Sequence, residues 1–413
     1  MSLNNILIIG AGQAGYQCAA SLRQEGFAGS VTLVGDEPGL PYQRPPLSKG
    51  YLLGKVARDS LRFRPAEFYD TQRISRVHAR ATAIDRVARS VRFDDGSVRG
   101  YDHLVLALGA RNRVPAVPGI ELAGVFGIRT LTDADALAPR LVEGHRAVVV
   151  GAGFIGLEFA AAAAARGMQV QVLELASRPM ARALSADMAA LFDAGHRAAG
   201  IALNYGKSLA RITGADGQVN GVETDLGLHL HADLVVYGVG VQPNSELAQA
   251  AGLAVGNGVV VDATLLTSDA AISALGDLVS YPSPWAQAEV RLESVQNAMD
   301  QARTVAARLA GKPAAPYTAL PWFWSDQGDM RLQIAGLSHG ADQTVKLGAA
   351  EEKSLSVLCF RAGRLVAVES CNRTADHMAA RKVLARSPGL TVEQARAPGF
   401  DLKAFEAATR PAV

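Results

Sequence analysis

The chain reads Ile6-Leu-Ile-Ile-Gly-Ala-Gly-Gln-Ala-Gly15 near its start and Val148-Val-Val-Gly-Ala-Gly-Phe-Ile-Gly156 nearer its middle. In each copy, an apolar run rich in β-branched residues leads into closely spaced glycines and then into a segment with helical periodicity. Apolar runs of this kind are typical of strands buried on both faces. Both copies therefore predict a strand, a tight turn and a helix.

The segments that follow each copy complete the same unit twice. Helices are predicted over about residues 14–24 and 155–166, and a second strand follows each helix, at residues 31–34 and 169–173. Two βαβ units in one chain predict two nucleotide-binding lobes.

The spacing of the glycines has a physical reason at each position. Gly10 allows a tight turn, Gly12 lets the backbone approach a pyrophosphate, and Gly15 lets the helix pack on the strand. In the second copy the same three roles are predicted for Gly151, Gly153 and Gly156. A single GxGxxG pattern can be an ordinary tight turn, so an acidic residue at the end of the next strand is needed to indicate a dinucleotide site.

An acidic residue ends the second strand of each unit. Asp36 and Glu174 are placed to accept hydrogen bonds from ribose hydroxyls. The carboxylate of Glu174 would also repel a 2′-phosphate, so the second site is predicted to prefer NADH to NADPH. Arg178 lies nearby in the sequence and moderates that preference.

Composition excludes several other classes of protein. A length of 413 residues predicts two or three domains. The 41 Lys and Arg residues are nearly balanced by 39 Asp and Glu residues, so the protein lacks the positive surface potential that binds nucleic acid, and nucleic acid is excluded as a partner. No apolar stretch is long enough to span a membrane and no leader is apparent, so a cytoplasmic location is expected. The three cysteines and eight histidines show neither disulfide nor metal spacing, so no metal site is predicted.

Two dinucleotide sites in one chain indicate hydride transfer from a nicotinamide to a flavin. The predicted fold is α/β, with two Rossmann-like domains that carry antiparallel β-meander inserts, turning at residues 94–96 and 216–217, and a C-terminal α+β domain. The predicted division is residues 1–109 and 242–319 for an FAD-binding domain, 110–241 for an NADH-binding domain, and 320–413 for an interface domain. A helix is predicted at about residues 293–309, and strands alternate beyond residue 321.

Four further segments carry a family resemblance. They are Leu40-Pro-Tyr-Gln-Arg-Pro-Pro-Leu-Ser-Lys49, Thr267-Ser-Asp with Ala274-Leu-Gly-Asp277, Glu293-Ser-Val-Gln-Asn-Ala298 and Pro321-Trp-Phe-Trp-Ser-Asp-Gln327. With the two glycine motifs, nearly the whole chain resembles the FAD-dependent pyridine-nucleotide oxidoreductases, and within them the ferredoxin reductases of the putidaredoxin reductase and rhodocoxin reductase type. Leu108 and Leu278 depart from the usual pattern of that family, but neither removes a predicted phosphate or ribose contact.

The resemblance implies a set of site residues. FAD contacts are implied at Ala14, Asp36, Lys49, Ala81, Arg129, Asp277 and Val295, and NADH contacts at the glycines from Gly151 and at Glu174. Further cofactor contacts are implied at Arg44, Gly109, Phe154, Ile155, Gly240, Glu293, Ser294 and Trp324.

Two charged residues are predicted to be catalytic. In the family the lysine at position 49 approaches the flavin ring, although a lysine in a proline-rich loop is ordinarily solvated. Glu158 lies early in the second predicted helix, where an acid by default favours the helix dipole. We hypothesise an ion pair between Lys49 and Glu158 that holds the lysine beside the flavin.

Two more features have both an ordinary and a functional interpretation. Asp277 either caps a helix or accepts hydrogen bonds from the ribityl chain of the flavin. The helix that begins near Ser294 is either a core helix or one whose N-terminus faces the flavin pyrimidine edge.

The resemblance implies an NADH-dependent reductase that takes a hydride onto FAD and passes single electrons to a 2Fe-2S ferredoxin. That ferredoxin would serve a cytochrome P-450 or a ring-hydroxylating dioxygenase, with rubredoxin a weaker alternative as acceptor. The chain lacks the CxxC or CxxxxC pair of disulfide reductases, so electrons must leave to another acceptor. The alternatives are an NADH oxidase or quinone-type reductase, and an NADH-sensing protein related to apoptosis-inducing factor.

Docking of ferredoxin is predicted to be transient and electrostatic, with the protein itself a monomer or weak homodimer. Ferredoxins are typically acidic, so arginines are the candidates for the docking surface: Arg44, Arg58, Arg62 and Arg64, with Arg303 and Arg308 as possible neighbours. Trp324 is either a core aromatic or a docking residue.

Overall fold

A computed structural model describes residues 3–410 of the chain. Its strands are, in chain order, β1 Asn5–Ile9, β2 Ser30–Gly35, β3 Ile74–His78, β4 Ala81–Asp85, β5 Ser90–Phe93, β6 Val98–Gly100, β7 His103–Leu106, β8 Ala110–Asn112, β9 Val125–Gly127, β10 Arg146–Val150, β11 Gln169–Glu174, β12 Ala202–Tyr205, β13 Leu209–Ala215, β14 Gln218–Thr224, β15 His229–His231, β16 Leu234–Tyr237, β17 Val241–Pro243, β18 Val255–Gly256, β19 Gly258–Val260, β20 Ile272–Ala274, β21 Val279–Ser283, β22 Ala288–Val290, β23 Trp322–Gln327, β24 Met330–Gly336, β25 Gln343–Ala349, β26 Ser354–Arg361 and β27 Arg364–Cys371. The α-helices are α1 Gln13–Gln24, α2 Ala66–Thr71, α3 Leu131–Leu137, α4 Phe154–Ala165, α5 Ala186–Ala198, α6 Glu246–Ala250, α7 Val295–Leu309, α8 Thr374–Arg386, α9 Val392–Arg396 and α10 Leu402–Ala408. Short 3-10 helices cover Pro45–Ser48, Arg58–Leu61, Ala138–Arg140 and Gly276–Leu278.

The chain divides into two compact units. The first contains Met1–Gln43, Arg58–Arg111 and Val241–Ala319, and the second contains Arg44–Ala57, Asn112–Gly240 and Leu320–Val413. The segments predicted to bind NADH and to form the C-terminal domain thus share one unit. The proline-rich segment 44–57, predicted within the first FAD segment, also belongs to that unit. No helix within residues 3–410 is long and apolar enough to cross a bilayer.

The first unit is built on a parallel sheet of order β20-β7-β1-β2-β3. The strands β1 and β7 are almost wholly buried, as expected for strands covered on both faces. The helix α7 buries Ala298, Ala302, Val305 and Leu309, which lie three or four residues apart and so form one face. The antiparallel sheet β4-β5-β6 is the meander predicted to turn at residues 94–96.

The second unit contains a parallel sheet of order β12-β11-β10-β16-β9 and the predicted meander β13-β14-β15. The residues after 320 form an antiparallel sheet of order β23-β24-β27-β26-β25, and α8 packs against the strands β24 and β27. The predicted α+β character is confirmed. The sequence did not predict the elements β23, β25, α9 and α10.

The ends of two elements are set by single residues. The helix α7 begins at Val295 rather than at residue 293, because the Ser294 hydroxyl accepts a hydrogen bond from Asn297 N at 3.0 Å and caps the helix. The strand β20 ends at Ala274, and Gly276 then adopts φ +80°, which lets the chain enter a 3-10 turn that carries Asp277.

Candidate active site

The first glycine-rich turn follows β1 directly. Gly10 has φ +110°, and a Cβ on it would lie 2.2 Å from the Ala107 carbonyl oxygen. A Cβ on Gly15 would lie 1.8 Å from the Gly10 carbonyl oxygen, so the helix α1 packs directly on the turn. A Cβ on Gly12, in contrast, meets no atom within 4 Å. The tight turn predicted at Gly10 and the helix packing predicted at Gly15 are therefore confirmed, and Gly12 faces open space.

The turn fits a phosphate group. Gly12 is the N-cap residue of α1, no side chain caps the helix, and the first turn carries no acidic residue. The first backbone N–H groups of a helix lack partners within the helix, and the helix dipole favours negative charge there. The pyrophosphate of FAD therefore suits this turn in both space and charge.

Other predicted FAD residues of the first unit surround the turn. A Cβ on Gly276 would lie 3.0 Å from the Ala14 Cβ, which brings the 3-10 turn of Asp277 beside the start of α1. The Asp36 carboxylate follows β2, is half exposed and pairs with Arg80 at 3.1 Å. We expect Asp36 to exchange this surface ion pair for ribose hydroxyls, since exposed ion pairs contribute little stability.

The remaining predicted residues of this unit lie at the ends of elements. Ala81 begins β4 and Val295 begins α7, whereas Glu293 pairs with Arg291 at 2.7 Å. Gly109 has φ +62°, and its carbonyl accepts a hydrogen bond from Asn244 N at 3.0 Å.

The two departures from the family pattern have packing roles. The partly buried Leu108 packs against the core of the first unit, and its carbonyl accepts a hydrogen bond from Asn244 Nδ2 at 2.8 Å. Leu278 is a fully buried member of the same core. Both leucines therefore contribute apolar packing.

The second glycine-rich turn repeats the first. Gly151 has φ +104°, and a Cβ on Gly156 would lie 2.2 Å from the Gly151 carbonyl oxygen. Gly153 is the N-cap of α4, again without a side-chain cap, and a Cβ there would meet only the Gly238 carbonyl oxygen, at 3.8 Å. Ile155, in the first turn of α4, is 44% exposed. This turn offers a second phosphate an open approach.

Glu174 is fixed by the backbone around the second turn. Its two carboxylate oxygens accept hydrogen bonds from Ala152 N at 2.7 Å and from Ala176 N at 2.8 Å. The Arg178 guanidinium, in contrast, donates to the carbonyls of Ala181, Leu184 and Ser185 at 3.0, 2.8 and 3.4 Å. Arg178 therefore holds its own loop, and its donors are directed at backbone oxygens rather than at a 2′-phosphate.

We expect Glu174→Gln to lower the preference for NADH over NADPH at least about tenfold, measured as the ratio of the two kcat/KM values. Two charges about 4 Å apart interact by roughly 4 kcal/mol at an effective dielectric constant of 20, and about 1.4 kcal/mol corresponds to a factor of ten. Glu223→Gln is the matched control, because that carboxylate pairs only with Arg211 on the meander. An unchanged ratio in the Glu174 variant would contradict this role.

Lys49 and Glu158 form the hypothesised ion pair. The distance between Lys49 Nζ and Glu158 Oε1 is 2.9 Å, and the exposed fractions of the two side chains are 18% and 4%. A second carboxylate, Asp326, lies 3.5 Å from the same nitrogen and is 37% exposed. Glu158 is thus buried rather than solvated, and Lys49 bridges an inner and an outer carboxylate.

The sequence did not predict the residues that hold Glu158. Ser48 Oγ donates to Oε2 at 2.5 Å, and Ser325 Oγ donates to Oε1 at 2.8 Å. Gln327 Nε2 donates to Ser325 Oγ at 3.1 Å, and the Gln327 amide oxygen lies 2.7 Å from His196 Nε2. Burial lowers the pKa of His196, so the ring is neutral near pH 7. The segment 321–327 was recognised as a motif, but its alternating inward polar residues were the overlooked signal.

Other predicted residues of the second unit contact residues of the same unit. Arg44 is half-buried and donates to the Arg129 carbonyl at 2.7 Å. The rings of Phe154 and Phe323 lie 4.5 Å apart. Trp324 is half-buried, with its ring 5.7 Å from that of Trp322. Gly240 has φ +102° and accepts a backbone hydrogen bond from Arg113 N at 2.9 Å.

The arginines considered for docking differ in exposure. Arg58, Arg62 and Arg64 are exposed, and Arg62 pairs with Asp59 at 2.7 Å. Arg303 is also exposed and pairs with Asp300. Arg308 is instead half-buried and donates a hydrogen bond to Ser273 Oγ at 2.6 Å. The docking role suggested for these arginines stays a prediction.

Among residues 3–410, no group of three or more His, Cys, Asp or Glu side chains is placed to hold a metal ion. His229 and His231 are both exposed on β15. The three cysteines are free and fully buried.

The fold and the two turns define a dinucleotide-binding oxidoreductase. The pyridine nucleotide-disulphide oxidoreductase model matches residues 4–302, and the reductase C-terminal model matches residues 322–406. A rhodocoxin reductase from Rhodococcus erythropolis is 50% identical over 400 residues, which cover 97% of this chain and 93% of the relative. The chain belongs to the pyridine nucleotide-disulphide oxidoreductase family, whose members of this type use FAD and NAD(H).

Two solved structures share the fold. The ferredoxin reductase for the CYP199A2 system from Rhodopseudomonas palustris matches with a TM-score of 0.95 and 48% identity, covering 98% of this chain and 100% of that chain. Putidaredoxin reductase in its covalent complex with putidaredoxin matches with a TM-score of 0.95 and 36% identity, covering 99% of both chains. The fold class expected from the sequence is confirmed.

Proposed function

We propose that this protein is an NADH-dependent flavoprotein ferredoxin reductase. It passes single electrons to a 2Fe-2S ferredoxin that serves a cytochrome P-450 monooxygenase or a ring-hydroxylating dioxygenase. The proposal extends to this chain what the names of its relatives state, namely a rhodocoxin reductase and a reductase complexed with putidaredoxin.

The observation that carries the proposal is the combination of two dinucleotide turns with three inert cysteines. Cys18, Cys359 and Cys371 are fully buried, and burial raises the pKa of Cys18 and of Cys371 to about 12. The thiolate is the reactive form, so none of these residues provides a redox dithiol at neutral pH. Electrons that enter from NADH must therefore leave to an external acceptor.

Bound FAD supplies the conversion of one hydride from NADH into two separately released electrons. In the proposed site, Gly12 and Asp36 hold the pyrophosphate and ribose of FAD, and Gly153 and Glu174 hold those of NADH. Glu158, fixed by Ser48 and Ser325, holds the Lys49 ammonium group, the group that the family resemblance implies for the flavin. The protein contributes position and charge rather than covalent chemistry.

The docking of ferredoxin is proposed to be transient and electrostatic. Arg58, Arg62 and Arg64 lie within seven residues of one another, counted from the sequence, and all three are exposed. A local cluster of positive charge attracts an acidic partner even when the net charge of the protein is only +2. The state of the protein itself, a monomer or weak homodimer, stays a prediction that sedimentation would test, as does the cytoplasmic location, which cell fractionation would test.

Anaerobic stopped-flow mixing tests the function. We expect NADH to bleach the flavin absorbance rapidly and NADPH to do so much more slowly. A 2Fe-2S ferredoxin should then restore the absorbance quickly, and less quickly as salt is added, because screening weakens charge attraction beyond about 10 Å at 0.1 M salt. Ferricyanide is the control acceptor, with little salt dependence.

Three other results would assign a different function or a different acceptor. Fast return of absorbance in air, with no acceleration by ferredoxin, would indicate an NADH oxidase. Slow bleaching followed by a persistent long-wavelength absorbance would indicate an NADH-sensing protein. Faster turnover with rubredoxin than with a 2Fe-2S ferredoxin would identify the other protein acceptor.

A further inference from the structure

A loop of the second unit joins Glu174 to the helix α5. It runs over residues 175–185 and contains Met180 in the left-handed region, at φ +49°. A non-glycine residue in that region needs support from surrounding structure. At one side, Met180 N donates to the Ala152 carbonyl at 2.9 Å, which ties the loop to the second glycine-rich turn.

The other support of this loop comes from the C-terminal sheet. Glu369 lies on β27 and is fully buried. Its carboxylate accepts hydrogen bonds from Ser185 N at 2.9 and 3.1 Å and from Ser185 Oγ at 2.6 Å. Ser185 is also the N-cap of α5, where its hydroxyl oxygen accepts from Met188 N at 3.2 Å. A buried carboxylate is costly unless hydrogen bonds satisfy it, so this contact fixes one geometry.

Neighbouring residues of the C-terminal region also contact the end of this loop and the start of α5. Ser338 Oγ donates to the Ala183 carbonyl at 3.2 Å, and Asp187 on α5 contacts Thr344 at 3.0 Å and Lys346 at 3.2 Å. Burial raises the pKa of Glu369, and the hydrogen bonds from Ser185 oppose that rise. Hydrogen bonds from the C-terminal region thus fix the end of the loop 175–185.

We propose that Glu369 is a positioning residue for NADH: through Ser185 it sets the conformation of the loop 175–185, and thereby the affinity for the adenosine half of the nucleotide. This inference rests on the proposed binding of NADH at Gly153 and Glu174. Arg178, four residues after Glu174, donates hydrogen bonds to the carbonyls of Ala181, Leu184 and Ser185. Because these bonds tie both ends of the loop together, a displacement of Ser185 also displaces the part of the loop next to Glu174. The C-terminal domain then contributes to nucleotide binding as well as to partner docking.

The experiment measures binding of NAD⁺ and of ADP-ribose to the FAD-loaded protein by calorimetry. We expect Glu369→Leu to raise both dissociation constants by the same factor, about tenfold, because the partly buried Ser185 N–H and hydroxyl lose their acceptor. KM for NADH should rise correspondingly, while kcat at saturating NADH stays within about twofold, as for a loss of uniform binding. ADP-ribose lacks the nicotinamide, so an equal change places the effect in the adenosine half.

Glu406→Leu is the matched control. Glu406 is also a buried carboxylate of the C-terminal region, but it pairs with Arg386 at 2.9 Å and Arg410 at 2.8 Å. We expect a lower unfolding temperature in both variants and weaker NAD⁺ binding only in Glu369→Leu. If that variant does not fold, Glu369→Gln replaces it, with about a threefold rise expected because the amide oxygen still accepts from Ser185 N.

Three outcomes would contradict either the positioning role of Glu369 or the proposed function. Unchanged dissociation constants in the Glu369 variants, or an equal rise in Glu406→Leu, would overturn the positioning role. Failure of the unaltered protein to bind NAD⁺ would instead overturn the proposed function.

Discussion

Gly12→Ala is expected to yield a folded protein that retains less than about a tenth of its FAD. The added Cβ meets no protein atom within 4 Å, so the fold itself has no reason to change. The same open space is where we place the pyrophosphate, and forcing a methyl group into a close-packed contact costs about 1–3 kcal/mol, with tenfold in affinity for each 1.4 kcal/mol. The measurement is the ratio of flavin to protein absorbance after purification, together with the unfolding temperature of the apoprotein.

Two further alanine variants make this result interpretable. Gly15→Ala should destabilise the apoprotein itself, because its Cβ would lie 1.8 Å from the Gly10 carbonyl oxygen. Gly100→Ala should retain both stability and FAD, since its Cβ would meet only the Arg89 carbonyl oxygen at 3.8 Å. Full FAD occupancy in Gly12→Ala would show that the pyrophosphate does not approach this turn.

Lys49→Met is expected to slow the reduction of bound flavin by NADH about 100-fold at saturating NADH, the usual magnitude for removing one positioned charged donor. The FAD content should remain unchanged, because in the proposed site Gly12 and Asp36 hold the cofactor. Glu158→Gln should slow reduction less, since Asp326 still lies 3.5 Å from the ammonium group. Anaerobic stopped-flow absorbance measures both rates.

The matched control for Lys49 is Lys353→Met. Lys353 also pairs with a carboxylate, Asp329, at 2.7 Å, but this pair lies in the C-terminal region, with the two side chains 33% and 71% exposed. We expect wild-type reduction rates for the control. Equal rates in Lys49→Met and in the unaltered protein would contradict a role of the ion pair in hydride transfer.

Local sequence patterns were sufficient for the parts of the fold that depend on local physics. The strands β1 and β10, the glycine turns and the helices α1 and α4 follow from residues that are near neighbours in the chain. The helix packing at Gly15 depends on sterics within a few residues, since a Cβ there would meet the Gly10 carbonyl oxygen. For this reason the two βαβ units could be predicted from the sequence alone.

Contacts between residues far apart in the sequence could not be predicted from local patterns. The Lys49–Glu158 pair joins residues 109 apart in sequence and was expected only through family resemblance. Ser325 and Gln327 lay within a recognised motif, yet their inward hydrogen bonds were not predicted. Arg308 was considered together with exposed arginines but is half-buried beside Ser273, because a charge run in the sequence does not state how far each side chain faces solvent.

The sequence by itself determined two dinucleotide lobes, the preference expected at Glu174 and the lack of a redox dithiol. Only the tertiary structure decided that Glu158 is held by two serines, that Arg178 serves its own loop, and that Glu369 contacts Ser185 across 184 residues. The reason is that turns and periodicity are set by local sterics, whereas the environment of a charge is set by packing. Whether a carboxylate is solvated or buried depends on elements that arrive from distant parts of the chain.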